Sequence, residues 1–152
     1  MLEICVDSLE SAANALEGGA GRLELCSALS DGGLTPTVGL TKAVKAMAAA
    51  AKGRDDVKVH ALIRLRGGDF FYTREEVQVM ADDAVDLVVR GGADGIVFGC
   101  LDRNGRVDAE GCKTIIGAIK NIEVVQQRII TTIIIRIQLL LIKNQTCKFC
   151  ME

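Results

Sequence analysis

Cysteine is the residue type through which this sequence could most directly bind a metal ion. Six are present: Cys5, Cys26, Cys100, Cys112, Cys147 and Cys150. They are too sparse for a disulfide scaffold in a chain of 152 residues, so we expect thiols, which serve either as small core fillers or as soft metal ligands. Cys147 and Cys150 have C-x-x-C spacing, but without a second pair or a nearby histidine the motif predicts no working site.

A second group combines two arginines with a glycine pair and a carboxylate. Its members are Arg64, Arg66, Gly67, Gly68 and Asp69. Guanidinium groups beside glycine amides can hold a phosphate or a carboxylate by bidentate hydrogen bonds. Alternatively, the arginines neutralise Glu3 and Glu24 inside the fold. Both interpretations stay open on the residues alone, and the only histidine, His60, is interpreted as structural.

Two helices begin with capping-box spacing. Asp7 with Glu10 precedes apolar residues at helical period and predicts a helix at about 8–18. Thr73 with Glu76 repeats the spacing before a longer apolar stripe. Both helices are expected to end at glycine pairs.

Two further helices and four strands complete the pattern. Thr35-Pro36 predicts a helix start, since threonine caps helices and proline suits the first turn, and a weaker helix begins near Asp108. Short β-branched or leucine-rich runs predict strands, at 2–6, 22–26, 57–65 and 95–99. Such strict alternation implies parallel strands joined by right-handed crossovers, in an open sheet or in part of a barrel.

The strand side chains sort into an apolar and an ionisable face, because alternate strand residues point to opposite sides. Leu23 and Leu25, for example, alternate with Arg22, Glu24 and Cys26. An open sheet covered by helices on both sides would need two apolar faces, whereas a barrel interior tolerates paired polar groups. We therefore expect a barrel interior carrying Glu3, Cys5, Glu24, Cys26, His60, Arg64 and Arg66.

The charge balance argues against several kinds of partner. With 18 basic and 20 acidic residues the formal net charge is −2, which provides no field for nucleic acid or an anionic membrane. The apolar run at 129–142 is shorter than the roughly 20 residues that a membrane span requires. The first residues lack the basic stretch and long apolar core of a secretory signal. We expect no nucleic-acid or membrane partner, and a cytoplasmic location.

The composition changes near Asn121. All 16 glycines precede residue 120, whereas 121–152 is rich in isoleucine, leucine and glutamine. We therefore expect half of a βα barrel over 1–120 and a divergent apolar tail over 121–152. A complete barrel takes about 250 residues, so about four βα units would form a parallel sheet that is not closed, and its open edges favour self-association.

Five segments, in order, closely resemble the successive signatures of the CutC family. They are EICVDS at 3–8, RLELCS at 22–27, GGLTP at 32–36, IRLRGGDF at 63–70 and GADGIVFG at 92–99. The resemblance covers roughly 1–120 and implies a TIM-barrel fold, cytoplasmic residence, self-association and a role in copper homeostasis. It also implies copper binding by thiols, at Cys5 and Cys26. Leu65 departs from the proline usual there, and the later strands of the family are missing.

The sequence thus predicts a metal-binding protein rather than an enzyme. Cys5 and Cys26 have equal parity on consecutive strands about 4.8 Å apart, so both could face one copper(I) ion. No catalytic residue is assigned. The alternatives are an inactive truncated isoform and a barrel enzyme acting on a small anionic metabolite. The residues of that possible anion site are Glu24, Arg64, Arg66, Gly67, Gly68 and Asp69.

Overall fold

Strands and helices alternate along the chain. The computed structural model describes residues 1–51, 57–123 and 134–135. The elements are β1 (Glu3–Val6), α1 (Leu9–Glu17), β2 (Arg22–Leu25), α2 (Val38–Ala50), β3 (Lys58–Ile63), α3 (Arg74–Val89), β4 (Gly95–Phe98), α4 (Ala109–Glu123) and β5 (Ile134–Ile135). The four predicted helices and four predicted strands are therefore confirmed, with bounds shifted by one to three residues.

The strands form one parallel sheet in chain order, β1-β2-β3-β4-β5. Each neighbouring pair from β1 to β4 is joined by a crossover helix, as parallel strands require. Among the described residues β1 and β5 are the two edges, so the sheet is not closed. The prediction of an α/β fold with the strands of a partial barrel is confirmed.

The core lies between the sheet and its helices. Leu23, Leu25 and Val59 are fully buried and pack with residues of α1 and α2. Ile96 and Phe98 pack in the same way beneath α3 and α4. The apolar parity of the strands therefore faces the helices, which leaves the ionisable parity on the other face of the sheet, here called the inner face.

The capping box of α3 is confirmed, but that of α1 is shifted by one residue. Thr73 and Glu76 exchange hydrogen bonds with each other's backbone N–H groups. In α1 the N-cap is Ser8, whose partner is Ser11. The prediction for Asp7 was wrong because its carboxylate accepts a hydrogen bond from a loop amide instead, that of Leu29 at 3.1 Å.

Helix α2 begins later than predicted. Its N-cap is Thr37, which accepts a hydrogen bond from the Leu40 N–H at 3.1 Å. Thr35 is instead bonded to the end of β3, where its hydroxyl oxygen accepts from the Arg64 N–H and its own N–H donates to the Arg64 carbonyl. These bonds tie Thr35 to β3, and a residue before proline disfavours helical backbone, so the helix starts after Pro36.

Part of the region after Asn121 joins the sheet. Ile134 and Ile135 pair with Val97 and Phe98 of β4 in parallel. The rest of the 129–142 run, with Cys147 and Cys150, lies outside the described residues. None of the helices in the described ranges is both long and apolar enough to cross a membrane.

Candidate metal and anion sites

Cys5 and Cys26 lie on the inner face of neighbouring strands, as their parity predicts. The register pairs Cys5 with Glu24 and Val6 with Leu25. Cys26 continues this ladder, since its N–H donates to the Val6 carbonyl at 2.9 Å. The two cysteines are therefore diagonal rather than directly opposite, with Cα atoms about 8 Å apart from a strand spacing of about 4.8 Å and a two-residue offset.

The two thiols differ in burial. Cys26 is 2% exposed, and its thiol donates to the Val6 carbonyl oxygen at 3.5 Å. Burial, with the nearby charges of Asp7 and Glu24, raises the pKa of Cys26 to about 12. Cys5 is exposed. A metal ion approaching the pair would therefore meet Cys5 at the surface and must displace the proton of Cys26.

Gly33 covers the Cys26 side chain. Its φ of +85° belongs to the left-handed region that glycine adopts without strain. A Cβ at this position would stand 2.8 Å from the Leu62 Cδ2 and 3.4 Å from the Cys26 Sγ. The Gly33 backbone can approach Cys26 and Leu62 this closely only because glycine has no side chain.

An inner-face row crosses four strands at the level of Cys5. The register aligns Cys5 with Glu24, Glu24 with His60, and His60 with Gly95. Parity predicts that the first three share a face, but only strand pairing shows that they share a level. A Cβ at Gly95 would lie 3.0 Å from the imidazole, so this glycine makes room for His60.

His60 is buried in that row. Its side chain is 2% exposed, and among the described residues its Nδ1 has no hydrogen-bond partner. Burial lowers the pKa of His60, with the positive charge of Arg22 as a further cause. The ring is therefore held neutral, consistent with the structural role expected for it.

Arg64 joins two loops, the one after β2 and the one after β3. Its Nη1 donates to the carbonyl oxygens of Asp31 and Gly33, both at 3.1 Å, and its Nη2 donates to that of Gly68 at 2.9 Å. The guanidinium carbon lies 4.9 Å from the ring centroid of Phe70. Most of the Arg64 donors therefore bind carbonyl groups of the fold.

Arg66 bridges β3 and α3. Its Nε donates to Glu76 at 2.7 Å, and its two Nη atoms donate to Asp69 at 3.2 Å and to the Phe71 carbonyl at 2.7 Å. The pKa of Glu76 is lowered by this hydrogen bond. A Cβ at Gly67, beside Arg66, would meet no atom within 4 Å, so the surroundings of that glycine are open.

The predicted anion-site residues are therefore brought together only in part. Arg64, Arg66, Gly67, Gly68 and Asp69 cluster at the carboxyl end of β3, where barrel sites are built. Glu24 lies in register with His60, four positions before Arg64. The alternative that these arginines neutralise Glu3 and Glu24 is wrong for Glu3, because Arg22 is its ion-pair partner. For Glu24 it stays a prediction.

The described residues restrict the kind of metal site. Within 1–51, 57–123 and 134–135, no three His, Cys, Asp or Glu side chains are placed to hold one metal ion. Zinc and the hard divalent ions take four or more ligands. Copper(I), by contrast, is a soft ion that a pair of thiolates can satisfy.

The parallel sheet packs one face against the helices and carries ionisable side chains on its inner face. This arrangement defines a partial parallel βα barrel. The model of the CutC family matches residues 1–135, and the chain belongs to that family. The copper homeostasis protein cutC homolog of Mus musculus is 44% identical over 128 residues, which are 84% of this chain and 44% of that protein. The homolog from Caenorhabditis elegans is 44% identical over 115 residues, covering 76% of this chain and 43% of its own length.

A solved structure of a CutC protein has a similar fold. The putative copper homeostasis protein CutC from Streptococcus agalactiae superimposes with a TM-score of 0.70 at 28% identity, over 79% of this chain and 55% of that one. The chain thus spans about half the length of the relatives it matches.

Proposed function

We propose that this chain binds copper(I) between Cys5 and Cys26 as part of cytoplasmic copper homeostasis. The observation that carries the proposal is the placement of both thiols on the inner face of adjacent strands, two residues apart in register. Membership of the CutC family supports copper as the ion. Both cysteines belong to the part of the barrel that this chain contains.

The chemistry of the pair suits a monovalent soft ion. A metal–thiolate bond is about 2.3 Å long, so two sulfurs on opposite sides of an ion lie about 4.6 Å apart. Side chains reaching towards each other from Cα atoms about 8 Å apart can achieve this separation. Binding converts Cys26 from a buried thiol into a coordinated thiolate, with release of its proton.

The test is an anaerobic copper(I) titration against a chromophoric chelator. We expect Cys5→Ser with Cys26→Ser to lose one bound copper per chain relative to the unsubstituted protein, because serine does not replace a thiolate for this ion. Cys147→Ser with Cys150→Ser is the matched control and should leave that copper in place. Equal stoichiometry and affinity before and after the Cys5 and Cys26 substitutions would contradict the proposal.

A second candidate function is anion binding at the carboxyl end of β3. The observation in its favour is the open space at Gly67 and Gly68 beside Arg66. An anion there would accept hydrogen bonds from Arg66 in place of Asp69, whose side chain is 73% exposed.

This candidate predicts that inorganic phosphate raises the melting temperature of the chain, because a ligand that binds only the folded state stabilises it. Arg66→Lys should abolish the rise, since lysine lacks the bidentate fork. Chloride at equal ionic strength is the control. A rise that persists in the variant would assign the effect to another part of the molecule.

A further inference from the structure

Cys26 is covered by the loop after β2, which comprises residues 27–34. The loop is closed at its base, where the N–H groups of Ser27 and Leu34 donate to each other's carbonyl oxygens at 2.8 and 2.7 Å. Gly33 lies so close to the cysteine that a Cβ on it would stand 3.3 Å from the Cys26 Cβ and 3.4 Å from its Sγ. Because Cys26 is only 2% exposed, its sulfur is not available to an ion in solution while the loop holds this position.

Two side chains that follow the neighbouring strands hold the loop after β2 from outside. Asp7, which follows β1, accepts a hydrogen bond from the Leu29 N–H at 3.1 Å. Arg64, which follows β3, donates from its Nη1 to the carbonyl oxygens of Asp31 and Gly33, both at 3.1 Å. The position of Gly33 therefore depends most directly on the Arg64 guanidinium.

The same guanidinium is anchored on its other side to the loop after β3. The Arg64 Nη2 donates to the Gly68 carbonyl at 2.9 Å, and the guanidinium carbon lies 4.9 Å from the Phe70 ring centroid. These contacts keep Arg64 in place when the loop after β2 moves. The hydrogen bonds to Asp31 and Gly33 are therefore the ones that such a movement breaks.

The closed position of the loop has two unfavourable features. Ala28 has a φ of +49°, in the left-handed region that is unfavourable for a residue with a Cβ. The Nε of Arg64 is buried, and among the described residues it has no hydrogen-bond partner, which is unfavourable for a donor. A segment that a few contacts hold against local strain can relax when those contacts break, so it is suited to having two positions.

We propose that the loop after β2 is a gate for Cys26 and that Arg64 is the positioning residue that keeps the gate closed. When the hydrogen bonds from Arg64 break, Gly33 moves away from the thiol, and an ion held by the exposed Cys5 gains the second sulfur. The S–H proton of Cys26 then passes to water, and no electron is transferred. This inference rests on the copper site proposed above, since the gate controls access to one of its two ligands.

Thiol alkylation under anaerobic, metal-free conditions tests the gate without copper. Iodoacetamide modifies the unsubstituted chain for increasing times, and peptide mass spectrometry reads each cysteine separately. We expect Cys5 to react at once, Cys26 to react slowly, and Cys100, buried in the core beneath α3 and α4, to react slowest. Low concentrations of urea should speed Cys100 and leave Cys26 nearly unchanged, because local opening exposes little surface and global unfolding exposes much.

Arg64→Met removes the hydrogen bonds to the loop and keeps an unbranched side chain beside Phe70. Alkylation of Cys26 should become at least about tenfold faster, because losing one hydrogen bond from a charged donor changes an opening equilibrium by that factor. Its weak dependence on urea should remain. Arg103→Met is the matched control, since Arg103 also packs on a phenylalanine ring, that of Phe71, but in another loop. This variant should leave the Cys26 rate unchanged.

Copper exchange separates a gate from a purely structural role. Arg64→Met should speed both the uptake and the release of the copper that depends on Cys5 and Cys26, and should leave its affinity nearly unchanged, because a gate alters both directions alike. Weaker binding without faster exchange would contradict the proposal. If the unsubstituted chain binds no copper at this pair, the proposed function fails, while alkylation still decides whether the loop opens.

Two results of the alkylation experiment would overturn the gate. One is a Cys26 rate that rises with urea as steeply as that of Cys100, because Cys26 would then become accessible only by global unfolding. The other is a Cys26 rate that a folded Arg64→Met variant leaves unchanged. Should that variant not fold, the comparison of Cys26 with Cys100 in the unsubstituted chain decides the question by itself.

Discussion

Cys26 is the residue whose protonation state controls the proposed copper site. Its thiol is buried, hydrogen-bonded to a carbonyl and surrounded by carboxylates that oppose a second negative charge. Those carboxylates, Asp7 and Glu24, favour a cation at the same place. The surroundings therefore keep Cys26 a protonated thiol without metal and stabilise positive charge once an ion arrives.

We expect His60 to make the stability of the fold depend on pH near neutrality. Its folded-state pKa is lowered, chiefly by burial, so the unfolded chain binds the proton at a higher pH than the folded protein does. The free energy of unfolding should be fully retained above the unfolded pKa of about 6.5 and should fall as the pH drops below it. Urea denaturation between pH 7.5 and 5.5 measures this.

His60→Gln is the control for that measurement. Glutamine is polar and of similar size but does not titrate, so the variant should lose the dependence in this window. Carboxylates whose pKa values are lowered, such as Glu76, act at lower pH and should be unaffected. An unchanged pH profile in His60→Gln would assign the dependence to another group.

At the scale of the elements, the loop after β2 holds Cys26 in place. Arg64 fixes this loop through the carbonyl oxygens of Asp31 and Gly33. Gly33 in turn lies over Cys26 and Leu62. The loop therefore covers Cys26 because a residue at the end of β3 binds its backbone.

Gly33→Ala should destabilise the protein by about 2–3 kcal/mol, from backbone strain at positive φ together with the clash against Leu62. Gly105→Ala is the matched control, because Gly105 has a φ of +71° but a Cβ there meets nothing within 4 Å. That variant should lose only about 1–2 kcal/mol. Chemical denaturation compares the two, and equal losses would show that the clash at Gly33 is relieved without cost.

The sequence predicts the elements better than it predicts their contacts. Helical period, glycine stops and strand parity depend on local chemistry, and these patterns located every strand and α-helix from β1 to α4. The register of the strands could not be predicted from the sequence, because it is set by tertiary pairing. The alignment of Cys5 with Glu24 and His60 was therefore missed. The partners of Arg64 were missed for the same reason. They are backbone carbonyl groups, and a sequence does not show which carbonyl groups accept hydrogen bonds from a side chain.

At the scale of the whole molecule, this chain contains the part of a CutC barrel that bears Cys5 and Cys26. The family match extends past Asn121 to residue 135, and Ile134–Ile135 adds a fifth parallel strand. Self-association and the origin of the region after Asn121 stay predictions. The copper site that we propose at Cys5 and Cys26 is built from β1, β2 and the loop that covers Cys26.

The most direct test of shared coordination is copper X-ray absorption spectroscopy on a chain that retains only Cys5 and Cys26. Serine replaces the other four cysteines, so each sulfur seen by the metal must come from this pair. We predict two sulfur scatterers for each bound copper(I) ion. A spectrum with one sulfur completed by nitrogen or oxygen would show that the diagonal thiols do not hold the ion together.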